Sequence, residues 1–250
     1  MSEAIPDRTV LQVSGPDREA FLQGLVTNDL RKLKSGAVYA ALLSPQGKYL
    51  ADFFLLDAGE SILLDVATVL SDGLMRRLSM YKLRANVQIQ KTEITASRGL
   101  SEPPVGAVSD PRHPALGWLC YGSKVGGPQL TDWTSLRVAY LVPETGIELV
   151  PDETYILEAG FERLNGVDFR KGCYVGQEVT ARMKHKTELR KGLAKVSVDG
   201  PAPFGSTILS DDKEAGRLLS RSGDRAIAYL RFDRATGRMK AGDAIIALVE

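Results

Sequence analysis

Only two cysteines, Cys120 and Cys173, and two histidines, His113 and His185, occur in 250 residues. So few excludes a disulfide framework, and in a reducing compartment both cysteines are expected to be thiols, each judged by its own surroundings. His113 and Cys120 lack ligand-like spacing, so no metal site is expected. No apolar run reaches the roughly 18 residues needed to span a bilayer. Net charge is low as well, at +1, so no global field draws the chain to nucleic acid or membrane. A Gly-rich phosphate loop and a strained nucleophile elbow are both missing. The opening MSEAIPDRTV carries neither a basic-then-apolar secretory signal nor an Arg-rich, acid-poor transit segment. The expectation is a cytoplasmic protein.

What remains is an ordinary globular composition, 44% hydrophobic and 25% charged, long enough to bury a substantial core. Val10–Ser14 reads as a short strand ended by Ser14-Gly15-Pro16. A helix follows through Phe21, Leu22 and Leu25, with Asp17 and Glu19 suiting its positive N-terminal end. From Val38 to Ile94 the pattern is β-β-β-α-β. Tyr39–Leu43 and Tyr49–Leu56 flank the turn Ser44-Pro45-Gln46-Gly47-Lys48, and Ile62–Val66 is a third strand. Thr68 is placed to cap a helix carrying Leu70, Leu74, Leu78 and Tyr81, and Val87 and Ile89 open the closing strand. Residues 95–130 are rich in Pro and Gly and predict loops with at most short strands. Helical character is expected near Trp133–Tyr140 and again through Ile156 and Leu157. After Lys191 five short β runs separated by Gly-containing turns predict a small barrel or sandwich of about 60 residues.

The most informative stretch runs Asn165-Gly166-Val167-Asp168-Phe169-Arg170-Lys171-Gly172-Cys173-Tyr174-Val175-Gly176-Gln177-Glu178. A cysteine between two glycines suggests presentation on a tight turn. An ordinary thiol is about 3% ionised at neutral pH, and a neighbouring cation such as Lys171 or Arg170 would raise that share. The plainer alternative is a small buried hydrophobe, since cysteine is among the most buried residue types. Arg163 to Lys191 holds eight Lys/Arg against three acids, a local +5. That cluster suits an acidic ligand or partner, or is simply a solvated face; only Phe169 and Tyr174 interleave it, so direct nucleic-acid binding is not expected.

Lys-Gly-Cys-Tyr-x-Gly-Gln-Glu, with Gly166-Val167 and Phe169 upstream and Ala181-Arg182 downstream, resembles the hallmark of the YgfZ/GcvT family, and within it the YgfZ branch with its mitochondrial relatives. Gln23-Gly24 with Thr27-Asn28-Asp29, the hairpin Leu43–Lys48 with Asp52-Phe53, Tyr81-Lys82-Leu83-Arg84, and the Trp133–Pro143 segment are similar to further family segments. The resemblance covers residues 8 to about 192; the C-terminal part matches in texture alone.

The resemblance implies an α+β fold: two ferredoxin-like lobes of the GcvT folate-binding fold plus a small C-terminal β-barrel. The folate-binding domain would be 1–190 (lobe one 1–45 with 130–190, lobe two 46–100, loop-rich 101–129), and the barrel 191–250. It further implies a monomeric, tetrahydrofolate-binding accessory protein of iron–sulfur cluster assembly or repair, affecting tRNA modification indirectly and meeting an iron–sulfur carrier or client. Cys173 and Lys171 would carry the chemistry. Trp133, Thr27, Asn28, Asp29, Asp52, Tyr174, Gln177, Glu178 and Arg182 would hold tetrahydrofolate or a one-carbon derivative. Two of these have plain alternatives, Thr27-Asn28-Asp29 as a helix-end turn and Trp133 as core. The rival is a folate-dependent aminomethyltransferase, since fold does not fix function. Those enzymes generally lack the cysteine motif and carry two adjacent acids where this chain has Ala51-Asp52. Arg8 stands where some relatives place a second aromatic.

Overall fold

The computed structural model describes residues 2–124, 126–185 and 189–249. Two compact units emerge: Met1–Leu130 with Glu162–Val179, and Thr131–Phe161 with Thr180–Glu250.

The first unit opens with β1 (Glu3–Ala4), β2 (Arg8–Ser14) and α1 (Arg18–Gln23), then a 3-10 turn over Leu30–Ser35. β3 (Val38–Leu43), β4 (Tyr49–Asp57) and β5 (Ser61–Ala67) follow, then α2 (Thr68–Lys82) and β6 (Gln88–Lys91). The antiparallel sheet has the order β3-β4-β5-β2-β6. Side chains alternate across it with period two. Leu11, Val13, Ala40, Leu42, Phe53, Leu55, Leu64 and Val66 pack on one face with Leu22, Leu74 and Leu78 from the helices. Arg8, Tyr39, Asp52, Phe54 and Asp65 fall on the opposite face.

Thr68 does not cap α2: Ala67 stands at that position, and the Thr68 hydroxyl lies 3.0 Å from that of Thr9. The loop-rich stretch holds β7 (Thr95–Gly99), β8 (Val108–Ser109) and β9 (Trp118–Gly122), which join β1 in a four-stranded sheet ordered β1-β7-β9-β8. Short strands were expected there; their union with the extreme N-terminus had no local signal. The five-stranded sheet draws β2 and β3 from the segment assigned to lobe one and β4–β6 from lobe two, because hairpin pairing of β3 with β4 ties those segments together.

The second unit contains α3 (Trp133–Ala139), while α4 (Gln177–His185) starts in the first unit and ends in the second. Turns rather than a helix occupy the stretch around Ile156 and Leu157. Arg137 of α3 is buried, donating to the Val142 carbonyl at 2.9 Å and Ser220 at 3.0 Å and pairing with Glu148 at 3.3 Å. The remainder is a closed six-stranded antiparallel barrel of β10 (Lys191–Asp199), β11 (Thr207–Ser210), β12 (Lys213–Ser222), β13 (Arg225–Arg231), β14 (Met239–Ala241) and β15 (Ala244–Leu248). Register shifts in the β11–β12 and β12–β13 pairs supply the bends that closure needs. Val196, Val198, Ile208, Leu218, Leu230, Met239 and Ile246 fill its interior, with alanines between them.

Candidate functional site

Cys173 is exposed, on a loop that leads from Asn165 into α4. That loop is fastened to the turn between α1 and β3. The Thr27 hydroxyl donates to the Gly166 carbonyl at 2.7 Å and accepts from Ala41 N–H at 2.9 Å, while Asp168 N–H donates to the Thr27 carbonyl at 3.0 Å. Asn28 Nδ2 donates to the carbonyls of Tyr39 (2.8 Å) and Asn165 (2.6 Å). Asn28 Oδ1 accepts from Lys32 Nζ at 2.8 Å, and the same ammonium bridges Asp168 at 2.7 Å. Asp29 accepts from Arg31 N–H at 3.0 Å and from its guanidinium, and caps the 3-10 turn. Hydrogen bonding by Arg31 holds the Asp29 carboxyl far below the usual range.

Lys171 is nearly sealed, at 4% exposure. Its ammonium donates to the main-chain carbonyls of Gln23 (2.8 Å), Val26 and Asn28 (2.9 Å), and lies 5.1 Å from the centre of the Tyr174 ring. Three donors meet three acceptors, so this cation ties the loop to the turn. Burial lowers its pKa to about 8, against the raising influence of Asp29 and Asp168. The sequence suggested instead that Lys171 serves the neighbouring thiol as a cation.

Gly176 adopts φ +81°, and a β-carbon there would lie 2.5 Å from the Ser44 carbonyl oxygen; at Gly47, φ +74°, it would lie 2.8 Å from Val179. The β3–β4 turn and the start of α4 therefore touch backbone to backbone, which no larger residue permits. Gly172 has neither constraint. Gln177 begins α4 partly buried, Glu178 and Arg182 are exposed along it, and Arg182 belongs to the second unit. Lys186, part of the basic cluster, lies outside the described residues.

A second polar assembly lies on the far face of the five-stranded sheet. Asp52, buried, accepts from the hydroxyls of Tyr39 (3.0 Å) and Tyr49 (2.7 Å). Asp65, fully buried, accepts from Arg8 Nε at 2.7 Å and from the Tyr121 hydroxyl at 2.9 Å. Arg112 pairs with Asp110 at 2.7 Å and lies over the rings of Phe54 (4.8 Å) and Tyr39 (5.8 Å). Burial opposes the charge on Arg8 and Arg112, but Asp65 and Asp110 outweigh it and raise both pKa values. Burial, with Asp52 or Asp65 nearby, pushes the Tyr39 and Tyr121 hydroxyls well up, so both remain hydrogen-bond donors. Of this group the sequence singled out Asp52 as a ligand residue and Arg8 as a departure from the aromatic that some relatives carry. A lone acid inside an apolar strand, as in Ile62-Leu63-Leu64-Asp65-Val66, is the signal that could have found Asp65.

The structure thus brings Cys173, Lys171, Tyr174, Thr27, Asn28 and Asp29 into one clamp and puts Asp52 in the charged layer of the same unit. Trp133 lies in the other unit, 7% exposed, at the start of α3, whose cap is Asp132 accepting from Ser135 N–H at 2.9 Å. Among the described residues, no group of three or more His, Cys, Asp or Glu is arranged to hold a metal ion, and no helix is long and apolar enough to cross a membrane.

Known proteins share this architecture. Glycine cleavage system aminomethyltransferase T from Bartonella henselae superposes with a TM-score of 0.78 over 100% of this chain and 84% of its own, at 15% identity. Residues 190–249 match the family described as CAF17, C-terminal beta-barrel domain. The class is therefore an aminomethyltransferase-T-like α+β fold ending in a six-stranded barrel.

The iron–sulfur cluster assembly factor IBA57 homolog, mitochondrial, of Pyricularia oryzae is 34% identical over 98% of this chain and 75% of its own length. Iron–sulfur cluster assembly factor IBA57, mitochondrial, of Mus musculus is 30% identical over 92% and 77% respectively. The chain belongs to the IBA57 family of iron–sulfur cluster assembly factors. Relatives named as mitochondrial overturn the cytoplasmic expectation. Composition near Met1 was its basis, and the fold that defines the family carries no record of compartment.

Proposed function

We propose that this protein acts in iron–sulfur cluster assembly or repair through Cys173, as the YgfZ-like motif suggests, with tetrahydrofolate or a one-carbon derivative as its bound small molecule. The observation that carries the reading is an exposed cysteine on a loop secured by Lys171, Thr27 and Asn28. A fixed, reachable sulfur suits transient ligation of iron or of a cluster as cargo, since thiolates are the protein's soft ligands. One cysteine cannot hold a cluster, and with no metal-ligand group among the described residues the other ligands come from a carrier or client protein. tRNA modification is an indirect outcome, through modifying enzymes that need clusters.

For the small molecule, the chemistry of the charged layer fits a flat heterocycle bearing N–H groups. Asp52 is a buried acceptor among aromatic rings, and Arg112 presents a planar cation on Tyr39 and Phe54. Asp52 would accept from a ring N–H and hold the ring in register; the bound folate would supply a one-carbon carrier. Trp133 in the second unit is a separate candidate for ring stacking, and Arg182 for a carboxylate tail.

Complementation of cells lacking their own family member tests the sulfur: wild type should rescue cluster-enzyme activity and Cys173→Ser should not. Equal rescue would overturn the role of Cys173. Calorimetric titration with tetrahydrofolate tests the ligand, with Asp52→Asn and Trp133→Ala each expected to weaken binding. A second reading, aminomethyl transfer, is favoured by the superposition on aminomethyltransferase T together with the retained Asp52. Tetrahydrofolate-dependent turnover of an aminomethylated carrier by Cys173→Ser would select it.

A further inference from the structure

The solvent face of α2 carries exposed apolar side chains in a helical register. Val69, Gly73, Arg76, Met80 and Leu83 follow one another at spacings of 4, 3, 4 and 3, the seam of two packed helices. Val69 is 82% exposed, Met80 71% and Leu83 89%. Gly73 weakens the helix relative to alanine, yet a β-carbon there would meet nothing within 4 Å. Packing inside the chain therefore does not require glycine at this point, whereas close approach of another backbone would use it. Leu83 at the C-terminal end has φ +42°, a costly conformation for a leucine. That backbone holds an apolar side chain out in water.

Charge says what covers the face. Arg76, Arg77, Lys82, Arg84 and Lys91 fall between Gly73 and Thr92 with no acid among them. Asp72, the acid of α2, is already bridged to Lys91 at 2.8 Å. Arg76 interrupts the apolar seam, so acyl chains would have to desolvate it, while a facing Glu or Asp would pair with it. We propose that Val69–Leu83 is the docking face for an acidic amphipathic helix of a partner protein, with Met80 and Leu83 as apolar anchors, Arg76 as the cation within the seam, and Arg77 and Arg84 as the rim.

A fluorescently labelled synthetic helix with leucines on the seam and glutamates beside it is the probe, titrated against the full chain by anisotropy. Saturable binding that weakens as salt rises from about 0.05 to 0.5 M is expected. Met80→Glu and Leu83→Gly should each weaken binding by about tenfold or more. Leu83→Gly should keep or raise the melting temperature, since glycine accepts the positive φ, so its lost binding cannot be ascribed to unfolding. Arg76→Glu should shift preference toward a lysine-flanked helix. Absence of binding, or undiminished binding by Leu83→Gly, overturns the proposal. So does attachment to phosphatidylserine vesicles without peptide binding, or a doubling of mass in sedimentation that Met80→Glu abolishes.

Discussion

The five-stranded sheet and the C-terminal barrel are both antiparallel β structures with period-two side chains, yet they bury opposite chemistry. The barrel core is apolar apart from two buried serines of its strands, Ser210 and Ser220, and includes six buried alanines, Ala215, Ala226, Ala228, Ala235, Ala241 and Ala244, with Ala194 partly covered. One face of the sheet is equally apolar, but the other holds Asp52, Asp65, Arg8 and Tyr39, with Arg112 and Asp110 above. Closing a small barrel leaves room for side chains alone, and small residues fit its narrow bore. A sheet that keeps an open second face can afford charge there, provided each group is paired. The contrast teaches where to look for chemistry: the barrel is a packed module, and the sheet face is where ligand-like groups collect.

The comparison breaks most readily at Asp65. Asp65→Ala leaves the Arg8 cation buried without its carboxylate and should cost about 3–5 kcal/mol in denaturant unfolding. A loss of under 1 kcal/mol would mean that the charged layer is hydrated like a surface. Leu218→Ala in the barrel should cost about 3 kcal/mol by cavity formation. Rescue of that loss by a neighbouring larger side chain would support a purely packed interior.

Gly176→Ala strikes between the two, in the cysteine clamp. Strain at φ +81° and the 2.5 Å approach to Ser44 should together cost about 2 kcal/mol and raise the rate of Cys173 alkylation as the loop loosens. An unchanged alkylation rate would show that the loop is held elsewhere.

The pH-dependent effect is the most specific. Lys171 has a folded pKa of about 8 against 10.5 for an ordinary lysine. Between those values the unfolded chain binds the extra proton, so stability rises with pH across that window; below about 8 both states are protonated and the dependence vanishes. Lys171→Met should abolish this rise in melting temperature between pH 8 and 10. Persistence of the rise in Lys171→Met would assign it to another group.

Local sequence made several features legible. The apolar, strand-prone runs Tyr39–Leu43 and Ile62–Val66, and the Pro-Gln-Gly-Lys turn between strands, are short-range patterns, and the strands lie over them. The barrel was legible because its turns carry glycine, although β14, only three residues long, was too short to read. The turns around Ile156 were misread as helix because apolar spacing there reflects burial of scattered side chains, not helical repetition. Thr27-Asn28-Asp29 read as either ligand contact or turn; Thr27 and Asn28 donate to carbonyls of the cysteine loop, and Asp29 caps the 3-10 turn.

By itself the sequence determined which short segments become strands and turns, where the one cysteine between glycines lies, and which family motif surrounds it. These rest on steric and hydrophobic preferences within a few residues. Tertiary structure alone decided what Lys171, Thr27 and Asn28 do. Their partners are 137 to 148 residues away along the chain, and only folding brings a buried ammonium to three carbonyl oxygens. It likewise decided that Asp52 and Asp65 share a face with two arginines, because sheet register, not sequence proximity, sets which charges meet.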